Sequence, residues 1–269
     1  MRNTEHPHTV TVAGRRIRYE IRPGDGRGTP LLLCCGIGAA FEVLEPVVDA
    51  LDPGREVIRF DVPGVGGSPV GPLPYGFPAL AWLVHRMLRR LGYHHVDVLG
   101  LSWGGGLAQQ LAFQHPRSVR RLVLVSTATG MVMVPGRPGV LLHMVTPRRF
   151  RDPEYAAGIA GLVYGGSARR HTSVILDAFQ HQVRAGSRRG YLYQLAAGVG
   201  WTSLPFLPLI QQPTLVLSGD DDPIIPVANA HILAGLIRRG ELHLYHGGHV
   251  ELVTEAPALV PVVTEFLSR

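Results

Sequence analysis

A serine with glycine two residues away on either side, Gly100-Leu101-Ser102-Trp103-Gly104, is the first place in this chain where chemistry could reside. The residues before it, Val96–Leu101, are apolar enough for a buried strand, and Trp103–His115 after it carries a helical pattern that begins with small side chains. Joining two such elements directly takes a sharp turn, which glycines around the serine permit and which lifts the hydroxyl above a sheet. A serine hydroxyl is a weak nucleophile until a base takes its proton. Among 13 histidines, His249 stands apart because Gly247-Gly248 precedes it, between the last predicted strand and the closing helix. His243 and His246 lie within or at the end of that strand and read as bystanders. The histidine in turn needs a carboxylate to hold its tautomer and to stabilise the imidazolium. Asp220, Asp221 and Asp222 all follow the strand Leu215–Leu217, and spacing alone does not choose among them. The chain order serine, aspartate, histidine is the one expected of a nucleophile on such a strand-to-helix turn. A developing oxyanion would rest on two backbone N–H groups. One is that of Trp103, and the other is assigned to Ile37 in the turn Gly36-Ile37-Gly38.

The elements that must position these residues alternate in the manner of a parallel sheet covered by helices on both faces. Thr9–Val12 and Ile17–Ile21, joined at Ala13-Gly14, predict an opening hairpin. Strands follow at Leu31–Cys35, Val57–Phe60, Val96–Leu101 and Leu122–Val125, with helices at Phe41–Leu51, Leu80–Leu91 and Trp103–His115 between them. The rhythm breaks from Met131 to Leu209, where Gly, Pro and Arg abound and only helical patches occur, at Tyr155–Val163, Val174–Val183 and Tyr191–Ala197. It resumes with Leu215–Leu217, a helix at Ala228–Leu236, a strand at Leu242–Tyr245 and the closing helix Ala258–Leu267. The expectation is an α/β core formed by residues 1–130 and 210–269, with residues 131–209 inserted as a mainly helical lid. Apolar lid residues, among them Met131, Met133, Val140, Leu141, Leu142, Leu162, Trp201 and Phe206, are candidates for lining a substrate cleft. Trp201, in a Gly-flanked segment, leads that group, with Met131 and Met133 beside it.

Composition narrows the classes. The 269 residues are 46% hydrophobic and 17% charged, an ordinary globular balance. The net charge is +6 and every basic residue is Arg. These arginines fall in scattered pairs without interleaved aromatics, which argues against nucleic acid as a partner. The two cysteines, Cys34 and Cys35, are adjacent and bring neither a disulfide framework nor metal-ligand spacing. No run reaches the length of a membrane span and no apolar signal core opens the chain, so a cytoplasmic enzyme is expected, without cofactor or metal. Oligomeric state is left open.

Taken together these residues resemble the α/β-hydrolase superfamily along nearly the whole chain. A narrower likeness rests on Cys35-Gly36-Ile37-Gly38-Ala39, on Phe60 through Ser68, on Ser102-Trp103-Gly104-Gly105 through Gln109-Gln110, and on Gln212 through Pro223. Met133-Val134-Pro135-Gly136, Tyr164-Gly165-Gly166 and Gly200-Trp201-Thr202-Ser203 extend it into the insertion. These stretches resemble the intracellular medium-chain-length poly(3-hydroxyalkanoate) depolymerases. The resemblance implies Asp222 as the triad acid, just ahead of Pro223-Ile224-Ile225-Pro226. It also implies hydrolysis of polyesters or oligoesters of 3-hydroxy acids, on storage granules. Cys35 departs from the pattern, standing where those enzymes tend to carry Asn, so a change in loop rigidity or substrate range is expected there. The rival enzymatic readings are a small-molecule carboxylesterase and a carbon–carbon bond hydrolase with the same triad. A non-catalytic granule-binding protein on this scaffold is opposed by the complete Ser, Asp, His set.

Overall fold

The computed structural model describes residues 7–170, 172 and 186–269. Eight strands form one sheet: β1 (His8–Val12), β2 (Arg15–Arg22), β3 (Leu31–Cys34), β4 (Val57–Phe60), β5 (Val96–Leu101), β6 (Val119–Val125), β7 (Thr214–Gly219) and β8 (Gly240–Tyr245). Their order across the sheet is β1-β2-β4-β3-β5-β6-β7-β8, and every pairing from β4 onward is parallel. Only β2 runs against both of its neighbours. It is joined to β1 by the two-residue loop Ala13-Gly14, whose φ angles of 47° and 73° match the hairpin turn that suits the strand twist.

Strand alternation divides the core. Leu32, Cys34, Ile58, Val98, Leu122, Leu124 and Val216 face α2 (Phe77–Arg90) and α3 (Trp103–Gln114). Leu31, Leu33, Val57, Leu99, Val123, Val125 and Leu217 face α1 (Glu45–Ala50) and the closing helix Ala256–Ser268. Burial on both faces is why the central strands read as largely apolar runs in the sequence, with Arg59 and Asp97 as buried, ion-paired exceptions. The expected helix Phe41–Leu51 is divided, with a 3-10 turn at Phe41–Leu44 before α1. Pro46 explains the break, since it has no N–H and its ring would meet the carbonyl of residue 42 in a continuous helix. The helix expected from Leu80 begins at Phe77, because Pro78 is tolerated in a first turn.

Between β6 and β7 the chain forms α4 (Pro138–Met144), a 3-10 turn Pro147–Phe150, α5 (Pro153–Tyr164) and α6 (Arg188–Val199). The patch at Val174–Val183 lies outside the described residues. Asp152 caps α5 through the Tyr155 N–H, and Ser187 caps α6 through the Gly190 N–H. A bridge between Gly130 and Thr202 ties the two ends of this segment together. Its own small core, built on Val140, Ile159, Ala160 and Val163, rests on Ile224 and Ile225 just beyond β7. The remaining helices are α7 (Ala228–Leu236), α8 (Glu251–Thr254) and α9 (Ala256–Ser268). No described helix is long and apolar enough to cross a membrane.

Candidate active site

Strand order reverses between β3 and β5, and the crevice at their C-terminal ends is where a sheet of this type can hold a ligand. Cys34 pairs with Gly100 in register, so the chain leaving β3 and the chain leaving β5 emerge side by side. Ser102 occupies the turn from β5 to α3 at φ 56° and ψ −121°, a conformation costly for a residue with a side chain. The surroundings hold it there. Its N–H donates to the Val125 carbonyl at 2.8 Å, and its carbonyl accepts from Gly105 N–H at 2.8 Å and from Thr127 Oγ1 at 2.7 Å. Flanking glycines are demanded by space: a Cβ on Gly104 would sit 2.2 Å from the Cys34 carbonyl oxygen, and one on Gly100 2.5 Å from that of Gly104.

His249 Nε2 lies 2.9 Å from Ser102 Oγ, and His249 Nδ1 lies 2.7 Å from Asp222 Oδ2. The other oxygen of Asp222 accepts the Ile224 and Ile225 N–H groups, each at 2.9 Å. Imidazole and carboxylate are both buried, while the serine is half-buried and faces a cavity. Held in this way the carboxylate is an acceptor aimed at Nδ1–H, which leaves Nε2 free to take a proton from the hydroxyl. The three consecutive aspartates do three different things. Asp220 reaches the surface and pairs with His246, and this contact raises the histidine's pKa and lowers that of Asp220. Asp221 accepts the Gly166 N–H at 2.8 Å and pairs with Arg169 at 2.7 Å, so it fastens the end of α5 to the β7 loop. His243 lies within β8, away from this constellation.

The turn after β3 packs directly against the serine, for a Cβ on Gly36 would lie 3.6 Å from that of Ser102. Gly36 O accepts the Ala39 N–H at 3.3 Å and Gly38 has φ 73°, the conformation that the third residue of a type II turn requires. Trp103 opens α3, so its N–H has no intrahelical acceptor and sits at the positive end of the helix. Ile37 and Trp103 both line the cavity that Ser102 faces. Cys35 fills a tight place, its Sγ 3.7 Å from the Ala40 carbonyl, and burial pushes the thiol well above its usual pKa, so it stays neutral. The turn is anchored elsewhere: Phe41 N–H donates to buried Asp61, and Gly38 N–H donates to Gln194 Oε1 at 2.8 Å.

Gln194 escaped the sequence reading. It is fully buried on α6, it braces the Gly36–Ala39 turn through its side chain, and its carbonyl accepts the Trp103 indole N–H at 2.9 Å. Its spacing of three from Tyr191 and three from Ala197, both buried, was the available signal.

The cavity measures about 430 Å³ and its lining is overwhelmingly apolar. Trp201, Met131, Met133 and Leu141 of the insertion line it, together with Phe77, Val199 and Ile225. Trp201 is fixed by an edge-to-face contact with Phe77, ring centroids 4.7 Å apart, and by an indole N–H bond to Gln110 Oε1 at 2.7 Å. Met131 and Val199 line the cavity and are also 62% and 64% exposed, which puts them at its rim. Four other candidates do not line it. Val140 lies in the insertion's own core, Leu142 and Leu162 face solvent, and Phe206 stacks on Phe113. Among the described residues no cluster of three or more His, Cys, Asp or Glu side chains could hold a metal ion.

Residues 29–256 match the family model described as alpha/beta hydrolase fold. The chain is 50% identical over 263 residues to a poly(3-hydroxyalkanoate) depolymerase from Ectopseudomonas oleovorans, covering 97% of this chain and 92% of that protein. Among solved structures, a hydrolase from Pseudomonas aeruginosa PA01 superposes with a TM-score of 0.83 at 25% identity, covering 99% of this chain and all of that one. The enol-lactonase from Burkholderia xenovorans LB400 does so equally well, with a TM-score of 0.83 at 25% identity over 97% of this chain and 100% of its own.

Proposed function

Since the chain belongs to the alpha/beta hydrolase fold family, we propose that it is a serine hydrolase that cleaves esters of 3-hydroxyalkanoic acids, as polymer or oligomer. The observation that carries this reading is identity at half of all positions, over nearly the full length of both chains, with a poly(3-hydroxyalkanoate) depolymerase. The apolar cavity beside Ser102 supports it, because such polyesters present alkyl side chains to be buried.

In this mechanism Ser102 Oγ attacks the ester carbonyl while His249 Nε2 takes its proton. Asp222 holds the imidazole and stabilises its cationic form. The tetrahedral oxyanion rests on the Ile37 and Trp103 amides, whose dipoles are in place before charge develops. His249 then protonates the departing alkoxide, and in the second half it draws a proton from water, which cleaves the acyl-enzyme to acid and free serine. No metal or cofactor enters any step. Residues 131–209 act as the lid, and Trp201, Met131 and Met133 hold the alkyl chain. The exposed rim residues Met131 and Val199 suit contact with an apolar polymer surface, and the site of action is the cytoplasm, at storage granules.

The test is clearing of a medium-chain-length polyhydroxyalkanoate suspension by the purified protein, with Ser102→Ala alongside. Clearing by the wild type alone is expected. Hydrolysis of soluble p-nitrophenyl esters without any clearing would overturn the polymer reading and leave a small-ester hydrolase.

A further inference from the structure

A second, much smaller cavity adjoins the serine on the histidine side. It measures about 40 Å³ and is lined by Ile37, Ser102, Arg149, Tyr164, His249 and Val250 among others. His249 lines this cavity and not the large one. The group that leaves the serine must receive its proton from His249 Nε2 and therefore departs on that side. The large apolar cavity is then left to the acyl part. A volume of this size takes a short polar arm such as –CH2–COO⁻ and not the alkyl side chain of the leaving unit, which is left at the junction with the large cavity, where Ile37 and Ser102 line both.

Arg149 sets the chemistry of the small cavity. It comes from the 3-10 turn Pro147–Phe150 and is only 3% exposed. Its Nη1 donates to Tyr191 Oη at 2.8 Å and to Thr146 O at 3.5 Å, its guanidinium also hydrogen-bonds the Tyr164 hydroxyl, and it lies over the Phe150 ring, 4.4 Å from the centroid. Its Nε is buried without a partner. None of the ion pairs among the described residues includes Arg149. Asp222 and Glu251, the buried carboxylates around His249, have other partners, Asp222 the imidazole and two amides and Glu251 the Gly248 and Ser167 amides. A buried guanidinium without a countercharge is costly. Here it sits in a cavity, beside the nucleophile, with a planar fork that matches a carboxylate.

We propose that Arg149 binds the free carboxylate of the leaving unit, so that the protein removes single 3-hydroxy acids from the carboxyl end of oligomers. The inference rests on the ester hydrolysis proposed above. In a 3-hydroxyalkanoate ester the carboxylate carbon of the leaving unit is the third atom from the ester oxygen, a short reach that suits a small cavity. The reaction balances as hydrolysis: the acyl C–O bond breaks, the alkoxide takes the proton that His249 drew from Ser102, and water supplies the hydroxyl to the acyl group. Interior units of a polymer carry no such carboxylate, and this site therefore favours chain ends.

The experiment compares the dimer of 3-hydroxyoctanoic acid with its neutral primary amide, following release of the hydroxy acid or hydroxy amide. The wild type is expected to cleave the free acid with a kcat/KM at least tenfold higher, mainly through KM. Arg149→Met should erase that preference while keeping amide turnover within a few fold, and Arg149→Lys should restore part of it. Equal cleavage of both dimers by the wild type would overturn the proposal while leaving the ester hydrolase reading intact. So would an equal loss on both dimers in both variants, which would mark Arg149 as a prop for Tyr191. Cleavage of neither dimer would overturn the two together.

Discussion

Replacing Gln194 by Leu isolates what the brace on the Gly36–Ala39 turn is worth. The side chain is nearly isosteric, so packing on α6 persists, but Gly38 N–H loses its 2.8 Å acceptor in a buried place. An unsatisfied buried donor costs about 1–3 kcal/mol. The molecule can meet that cost in two ways. If the turn stays in place, stability falls by that amount, which for a chain of this size lowers Tm by roughly 2–4 °C per kcal/mol. If the turn shifts so that Gly38 N–H finds water, the adjacent Ile37 amide leaves its position, and the loss appears in the barrier as about 5- to 150-fold in kcat. Loss of an entire oxyanion donor, about 10²–10³-fold, is the ceiling. The assay is kcat and KM on p-nitrophenyl octanoate at a fixed temperature, with thermal unfolding of the same preparations. The expected result is a fall in kcat with little change in KM, a fall in Tm, or both, summing to the cost of one buried donor. Gln194→Glu keeps an acceptor for Gly38 and should recover Tm, but its charge beside the nascent oxyanion lowers kcat further. If Gln194→Leu melts and turns over like the wild type, the brace does nothing and the reasoning fails.

The three aspartates should separate cleanly. Asp222→Asn lowers kcat by about 10⁴-fold, Asp221→Asn lowers Tm with kcat nearly intact because only the tie to Arg169 and Gly166 weakens, and Asp220→Asn changes neither by a measurable amount; steady-state kinetics and melting curves on the three proteins decide it. Trp201→Phe removes the indole bond to Gln110 and enlarges the cavity, so in a p-nitrophenyl ester series the preferred acyl chain should lengthen while Tm drops by a few degrees. His85 and His115 stack with centroids 4.0 Å apart, and burial lowers the pKa of both. Between their folded pKa values and the ordinary 6.5 the unfolded chain holds more protons, so stability is full above that range and is lost as pH falls through it. Urea unfolding from pH 7.5 to 5 should show this slope, and His85→Gln should flatten it.

The parts of the molecule legible in the sequence share one property: their signal is local. Leu31–Cys34, Val57–Phe60 and Val96–Leu101 are buried on both faces, so each is mostly apolar, Arg59 and Asp97 apart, and needs no partner to be noticed. Ser102 and the Asp220–Asp222 loop directly follow the buried strands β5 and β7, and His249 stands four residues beyond β8, marked by the Gly247-Gly248 pair. The unread features depend on contacts between distant positions. Gln194 meets Gly38 across 156 residues of sequence, and neither position has an unusual neighbourhood. Spacing by itself does not separate Asp222 from Asp221, a choice that only the resemblance makes, because the part Asp221 plays depends on where Arg169 and Gly166 fall, and that follows from how α5 ends. Among the apolar residues of the insertion, Leu141 and Leu142 are adjacent in sequence, yet one lines the cavity and the other faces solvent. A helix that is apolar over most of its surface carries no phase from which that division could be read.

The insertion contributes more than walls to the cavity. Tyr164 O accepts the His249 N–H at 2.7 Å, and Ser167 N–H donates to Glu251, which also accepts the Gly248 N–H at 2.9 Å. Asp221 is fastened to Gly166 and Arg169, and the Gly36–Ala39 turn is fastened to Gln194. Each loop that carries Asp222, His249 or Ile37 is therefore held in part by residues between β6 and β7. Geometry near a nucleophile tolerates little error, and misplacement of about 1 Å can cost 10²-fold. A change within this segment that is chosen for substrate preference thus acts on kcat as well as KM whenever it moves Tyr164, Gly166, Ser167 or Gln194. Changes confined to Met131, Met133 or Leu141, which touch none of those ties, alter preference with the least disturbance of turnover.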